Sequence, residues 1–305
     1  MSKLLSISMA VLLFAANTAL ADWDYGDPFK MHFPQLPDES ILGLNVHATW
    51  PWNPAAGTSD IGKTLADDFL CTQSGPIDSV HIWGSWLNDL LPRNEQQGVP
   101  DANAVSFRLS IHEDIPDPDG ATGPGYSMPG AKLWEQVFNS DAYGGSNKTA
   151  RLWASGTPEG FYDPNTDYII GQDYEIWQYN FYTDPDTAFH QEEGTIYWLD
   201  VQAIPDSATN ATADSVFGWK SSYLHWNDDA VYGDTISPFG DALIWNELRY
   251  PFSHELAGHS MDLAFVIVPE PSSVAMLTLG ATLLAMRRRV TARRHGQLAD
   301  LDSRA

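Results

Sequence analysis

Residues 105–112 alternate without a break: Val105, Phe107, Leu109 and Ile111 interleave with Ser106, Arg108, Ser110 and His112. Successive side chains on an extended strand point to opposite faces, so this two-residue period predicts a half-buried strand. The same period returns at Tyr197, Leu199, Val201 and Ala203, and at Met261, Leu263, Phe265 and Ile267. Weaker strand segments lie at 77–86, 132–137, 174–181 and 215–221. Between them stand Gly, Pro and Asp clusters at 114–129, 156–167 and 184–194, which read as turns. No segment carries a long apolar stripe at helical spacing. Many short strands with turn-rich connections predict an all-β fold, an antiparallel β-sandwich of jelly-roll type over residues 44–268. The Pro-, Trp- and Asn-rich stretch before it, residues 22–43 and on towards Ser59, reads as an extension packing irregularly on that core.

Composition decides whether such a body can form. Twelve Trp, 12 Tyr and 13 Phe supply a large core and argue against disorder. Residues 22–268 hold 37 Asp and Glu against nine Lys and Arg, a field that repels phosphate and excludes nucleic acid as a partner. Cys71 is the single cysteine, so no intramolecular disulfide exists, and a small hydrophobe in a core accounts for it.

The two ends differ from the body. Residues 1–21 read as a signal peptide: Lys3 leads, residues 4–14 are mostly apolar, and Ala19-Leu20-Ala21 forms the small-x-small site that signal peptidase cuts. At the other end Val268-Pro269-Glu270-Pro271 should break a preceding strand, because proline removes a donor and fixes φ. An apolar run at 274–286 follows, then Arg287, Arg288 and Arg289. As a helix that run rises about 20 Å, short of a hydrocarbon core of about 30 Å. Its place beside the prolines and its cationic end favour a short membrane segment over a core helix, with residues 290–305 as a cytoplasmic tail.

Residues 268–289 thereby resemble the PEP-CTERM sorting signal, in which the Pro-Glu-Pro motif, a short helix and an arginine cluster occur in that order. The resemblance implies recognition by an exosortase-type membrane enzyme and sorting to the cell surface, often beside exopolysaccharide. This chain departs from the pattern by continuing through Arg293 and Arg294 to Ala305. The body resembles a second family, an uncharacterised secreted bacterial domain. Its phrases are residues 30–38, 65–71, 82–86, Trp219-Lys220, 226–231, 247–251 and 262–265. That resemblance implies one domain and brings no activity.

Motifs for chemistry fare poorly. His254 and His259 are five residues apart, about 140° around a helix, where a zincin pair needs four and about 40°. Aligning Gly120 with the glycine of an EF-hand puts Ile115 and Tyr126 where ligands belong. With 37 carboxylates, some pair will always meet the spacing of a glycosidase, so that test says nothing. Two acid pairs remain. Asp67-Asp68 precedes a strand and Asp228-Asp229 follows Trp226; hard oxygens from two loops suit a structural calcium, though capped turns or solvated acids explain them more simply. Trp83 and Trp86 could stack on sugar, but beside a strand they belong more naturally in the core.

These readings converge on an exported, surface-sorted structural or adhesion protein of the envelope or exopolysaccharide matrix, without catalysis. Its expected partners are signal peptidase, an exosortase-type enzyme and extracellular polysaccharide. A carbohydrate-binding module is the alternative, and a glycan-active hydrolase the third.

Overall fold

The computed structural model describes residues 22–50, 61–94, 96–117, 125–141, 147–206, 215–238 and 240–269. The alternating and weaker segments contain strands: β3 (Gly75–Trp86), β4 (Val105–Ile115), β5 (Met128–Phe138), β7 (Tyr168–Tyr182), β9 (Ile196–Pro205), β10 (Phe217–Lys220) and β13 (Phe265–Pro269). Met261–Ala264 of the last alternating run lies before β13 and makes only a single bridge, at Leu263. Six more complete the fold: β1 (Leu44–His47), β2 (Gly62–Leu70), β6 (Lys148–Asp163), β8 (His190–Gln191), β11 (Val231–Thr235) and β12 (Asn246–Glu247). One 3-10 turn spans Leu87–Asp89.

The strands form two sheets. One runs β12-β11-β2-β9-β4-β5 and is antiparallel throughout. The other runs β10-β1-β6-β7-β3-β13, with β8 also on β3. It is mixed, because β1 lies parallel to β6 through Leu44–Gly160, Asn45–Phe161 and Val46–Tyr162. That corrects the expectation of wholly antiparallel pairing. Strands so far apart in sequence need no hairpin, so either direction is open to them.

The mixed sheet also closes on itself. β10 pairs with β1 through Asn45–Lys220 and with β3 through Ser85–Gly218 and Trp86–Phe217. β3 continues to β7, β7 to β6 and β6 to β1, so five strands make a ring at one end.

The sheets meet over aromatic rings. Phe107 on β4 inserts among Tyr179 and Phe181 of β7 and Phe217 of β10, with centroids 4.8, 5.1 and 5.1 Å away. All four are buried, and each such side chain contributes about 1.5–3 kcal/mol on transfer from water. Trp83, Trp86 and Cys71 belong to this core. The 22–43 segment is stitched on: Trp23 and Met31 are buried, and Met31, Gln35 and Pro37 make single bridges to Cys71, Phe265 and Ser222.

Three local expectations change. β4 is buried on both faces along Val105–His112, because its polar side meets the partner strand and a covering loop. Arg108 there pairs with Asp200 at 2.6 Å and donates to the Gly240 carbonyl at 2.7 Å. The expected turn at 156–167 is strand as far as Asp163: β6 absorbs Gly156 (φ +104°), Thr157 and Pro158 as a register shift between Ser155 and Glu159. Asp67 and Asp68 lie inside β2 rather than before a strand. At the C-terminal end, β13 pairs through Pro269, opposite Ile77, with a bulge after Val268.

Candidate functional site

β2 is buried along almost its whole length, so its two adjacent carboxylates enter protein on opposite faces. Asp67 Oδ2 accepts the Leu263 N–H at 2.6 Å and the Gln35 amide at 2.9 Å, and Oδ1 accepts the Asp68 N–H at 2.8 Å. Gln35 reaches on to Asp262 Oδ2 at 3.4 Å. Asp262 in turn accepts the Trp226 N–H at 2.7 Å and faces His225 Nδ1 at 3.3 Å. Burial, then each other's charge, pushes Asp67 well above the carboxylate range; burial also raises Asp262 despite His225. His225 is raised by its hydrogen bond to Asp262. The Trp226 ring stacks on His32 at 4.2 Å, and burial takes His32 down to about 3, leaving a neutral imidazole in the stack.

Asp68 takes the other face. Its Oδ2 accepts the Asn227 amide at 2.6 Å, and burial raises it well above the usual range. Asn227 also donates to Asp228 at 3.1 Å. Asp229 pairs with Arg249 at 3.0 Å and hydrogen-bonds Glu247. Burial and Glu247 lift Asp229 to about 7.

The four aspartates singled out in the sequence thus gather in one region but in three bonded groups: Asp67 with Asp262, Asp68 with Asn227 and Asp228, and Asp229 with Arg249 and Glu247. Among the described residues, no group of three or more His, Cys, Asp or Glu is placed to hold a metal ion. Both Asp67 oxygens are already filled by N–H donors.

Next to the third group opens a cleft of about 540 Å³, lined by Tyr162, Tyr232, Tyr250 and Phe252 with Glu247 and Arg249. Arg249 grips Glu247 in a fork, 2.7 and 2.6 Å, so its charge is held by carboxylates on both sides. Phe252 is 66% exposed and meets Tyr168 edge-on at 5.9 Å. Aromatic faces beside a fixed fork of donors and acceptors can take CH surfaces and hydroxyls together. Asp229 and Glu247 share a hydrogen bond, whereas glycoside hydrolysis needs about 5–9 Å between carboxyls to admit the sugar.

Gln35, Glu247, Arg249 and Asp262 lie in family phrases of the sequence but, like His225, are not site candidates there, although a charge embedded in an apolar phrase such as Asp262-Leu263-Ala264-Phe265 is a signal of burial. The His254–His259 segment is turn rather than helix. Of the sorting residues, Val268 and Pro269 sit in β13; Glu270, Pro271, Arg287, Arg288 and Arg289 lie outside the described residues, as do Ala19 and Ala21.

No curated protein and no solved structure matches this chain. A family model described as a domain of unknown function, DUF7901, matches residues 31–268. That span takes in every strand described above except the last residue of β13, and the chain belongs to the DUF7901 family.

Proposed function

We propose that the chain is an exported structural or adhesion protein of the cell envelope or exopolysaccharide matrix, without catalysis of its own. Signal peptidase would release its N-terminus at Ala21, and an exosortase-type enzyme would act at Val268-Pro269-Glu270-Pro271. One observation supports the reading: β13 is the last described strand and runs Phe265–Pro269, so a cut beyond Pro269 would leave every described strand in the body. The apolar run at 274–286 and Arg287–Arg289 would hold the chain in the inner membrane only until that cut. Intact-mass analysis of surface protein from cells with and without the sorting enzyme tests this. The expected result is a chain ending near Pro-Glu-Pro only when the enzyme is present; chains ending at Ala305 in both would refute it.

The aromatic cleft favours a second reading, a carbohydrate-binding body. Retention of purified exopolysaccharide by the wild type and its loss in Phe252→Ala, with unchanged melting, would support it. Equal retention by both proteins would remove the cleft from consideration. A hydrolase reading is weaker, since the carboxyl pair at the cleft is hydrogen-bonded to itself.

A further inference from the structure

We propose that Lys220 and Asn45 become joined by an intramolecular amide bond, made by this chain's own side chains with release of ammonia.

The geometry comes from the ring of strands. Each of its five strands sends one polar side chain to a common buried cluster: Asn45 from β1, Ser85 from β3, Glu159 from β6, Asp173 from β7 and Lys220 from β10. Asn45 and Lys220 are directly opposite in the antiparallel β1–β10 pair, so they leave the same face with Cβ atoms about 4.5–5.5 Å apart. One atom, Glu159 Oε2, lies 2.7 Å from Lys220 Nζ and 3.2 Å from Asn45 Nδ2. Asp173 holds the same amide at 3.0 and 3.1 Å. Lys220 Nζ is held as an ion pair by Glu159 and interacts electrostatically with Asp173, while Asn45 Oδ1 has no hydrogen-bond partner among the described residues.

Water is kept out. Lys220, Asn45 and Asp173 are fully buried, and a Cβ at Gly43 would collide with Nζ, so backbone lies directly on the amine. A cavity of about 80 Å³ touches Glu159, space for a molecule the size of water or ammonia to leave.

Each side chain has a part in the step. Glu159 takes one proton from the Lys220 ammonium. The amine lone pair then attacks Asn45 Cγ while Asp173, as a neutral carboxyl, donates to the amide oxygen; the amide's two ends are interchangeable by rotation about its bond to Cβ. The C–Nδ2 bond breaks, one remaining amine proton passes to Nδ2, and ammonia departs. The other amine proton becomes the N–H of the new amide, and Glu159 keeps the proton it took. No electrons are gained or lost. Burial raises Asp173 to about 8, which keeps it protonated at neutral pH, and burial raises Glu159 against the pull of Lys220. The product replaces a buried ammonium–carboxylate pair by neutral groups, removing a costly desolvation.

Tryptic peptide mapping of the purified full-length chain tests the proposal. The expected result is that trypsin fails at Lys220 and that peptide 31–63 is found linked to the peptide spanning Lys220, lighter by one ammonia. Recovery of free, unmodified 31–63 together with a peptide ending at Lys220 would overturn it. Asn45→Asp is expected to link with loss of water instead, and Asn45→Ala to remain unlinked. Glu159→Gln, shown by circular dichroism to be folded, should also remain unlinked; a linked Glu159→Gln would refute the role of Glu159 as proton acceptor.

Discussion

Replacing Arg108 by Ala should cost the body about 3–5 kcal/mol at neutral pH. Arg108 and Asp200 are both fully buried, 2.6 Å apart. Burial alone would push Asp200 up, yet the guanidinium charge, with His112 and Thr64, brings it down to about 2. Measured from an ordinary 3.8, that net shift is about 2 kcal/mol, and it understates the pair because Arg108 also cancels the desolvation. Removing Arg108 leaves a carboxylate in protein and strips the Gly240 carbonyl of its donor. With an m-value of about 3 kcal/mol/M, the urea midpoint should fall by about 1–2 M. The pH dependence fixes the sign. A depressed carboxylate contributes stability above its unfolded pKa and loses it as pH falls through about 2. In Arg108→Ala the same carboxyl lacks its cation, so protonation relieves it and the deficit against wild type should shrink from pH 7 towards about pH 4. Arg108→Met with Asp200→Leu should recover most of the loss. A cost below about 1 kcal/mol, or a deficit constant across that range, would refute the reasoning.

Three further outcomes are expected. Asp67, Asp68, Asp262 and Asp173 are all raised in the folded chain, so the native state binds protons that the unfolded state has lost, and stability should fall as pH rises from about 5 to 8. Urea titrations at the two ends measure this, and Asp67→Asn should narrow the difference; a flat profile would count against it. Calcium should leave the melting temperature equal to that in chelator, because Asp67 is filled by N–H donors; a rise specific to calcium would show Asp68 and Asp228 gathering an ion. Deleting residues 270–305 should leave the melting of the body unchanged, whereas deletion from Phe265 onward should abolish cooperative melting, since β13 is buried against β3.

Alternation made β4 and β9 legible, because each carries apolar side chains at strict two-residue spacing. It failed for β2, where Thr64, Asp67 and Asp68 are buried beside Leu65, Ala66 and Phe69 and leave no contrast between faces. It failed for β6 because Gly156 and Pro158 look like a turn, and only pairing with β7 shows them absorbed as a bulge. The candidate site was half legible. Two adjacent aspartates are visible in any sequence, but the Leu263 N–H that fills Asp67 is 196 residues away. Asn45 and Lys220 were not singled out as a pair: each is a polar residue in a four-residue strand, and their meeting depends on the long-range antiparallel pairing of β1 with β10, which no local pattern encodes.

The placement of β13 bears on mechanical strength. Along one edge it pairs with β3 from Phe265 to Pro269. On the other, Lys30 donates to the Ile267 carbonyl at 2.9 Å and Gln35 to that of Phe265 at 3.1 Å. Tension applied beyond Pro269 therefore runs along a strand bonded on both sides, and its hydrogen bonds share the load in shear instead of opening one at a time. The 22–43 segment is half of that clamp. A chain tethered by its C-terminus and dragged by a viscous matrix would transmit force through Lys30 and Gln35 as well as through β3.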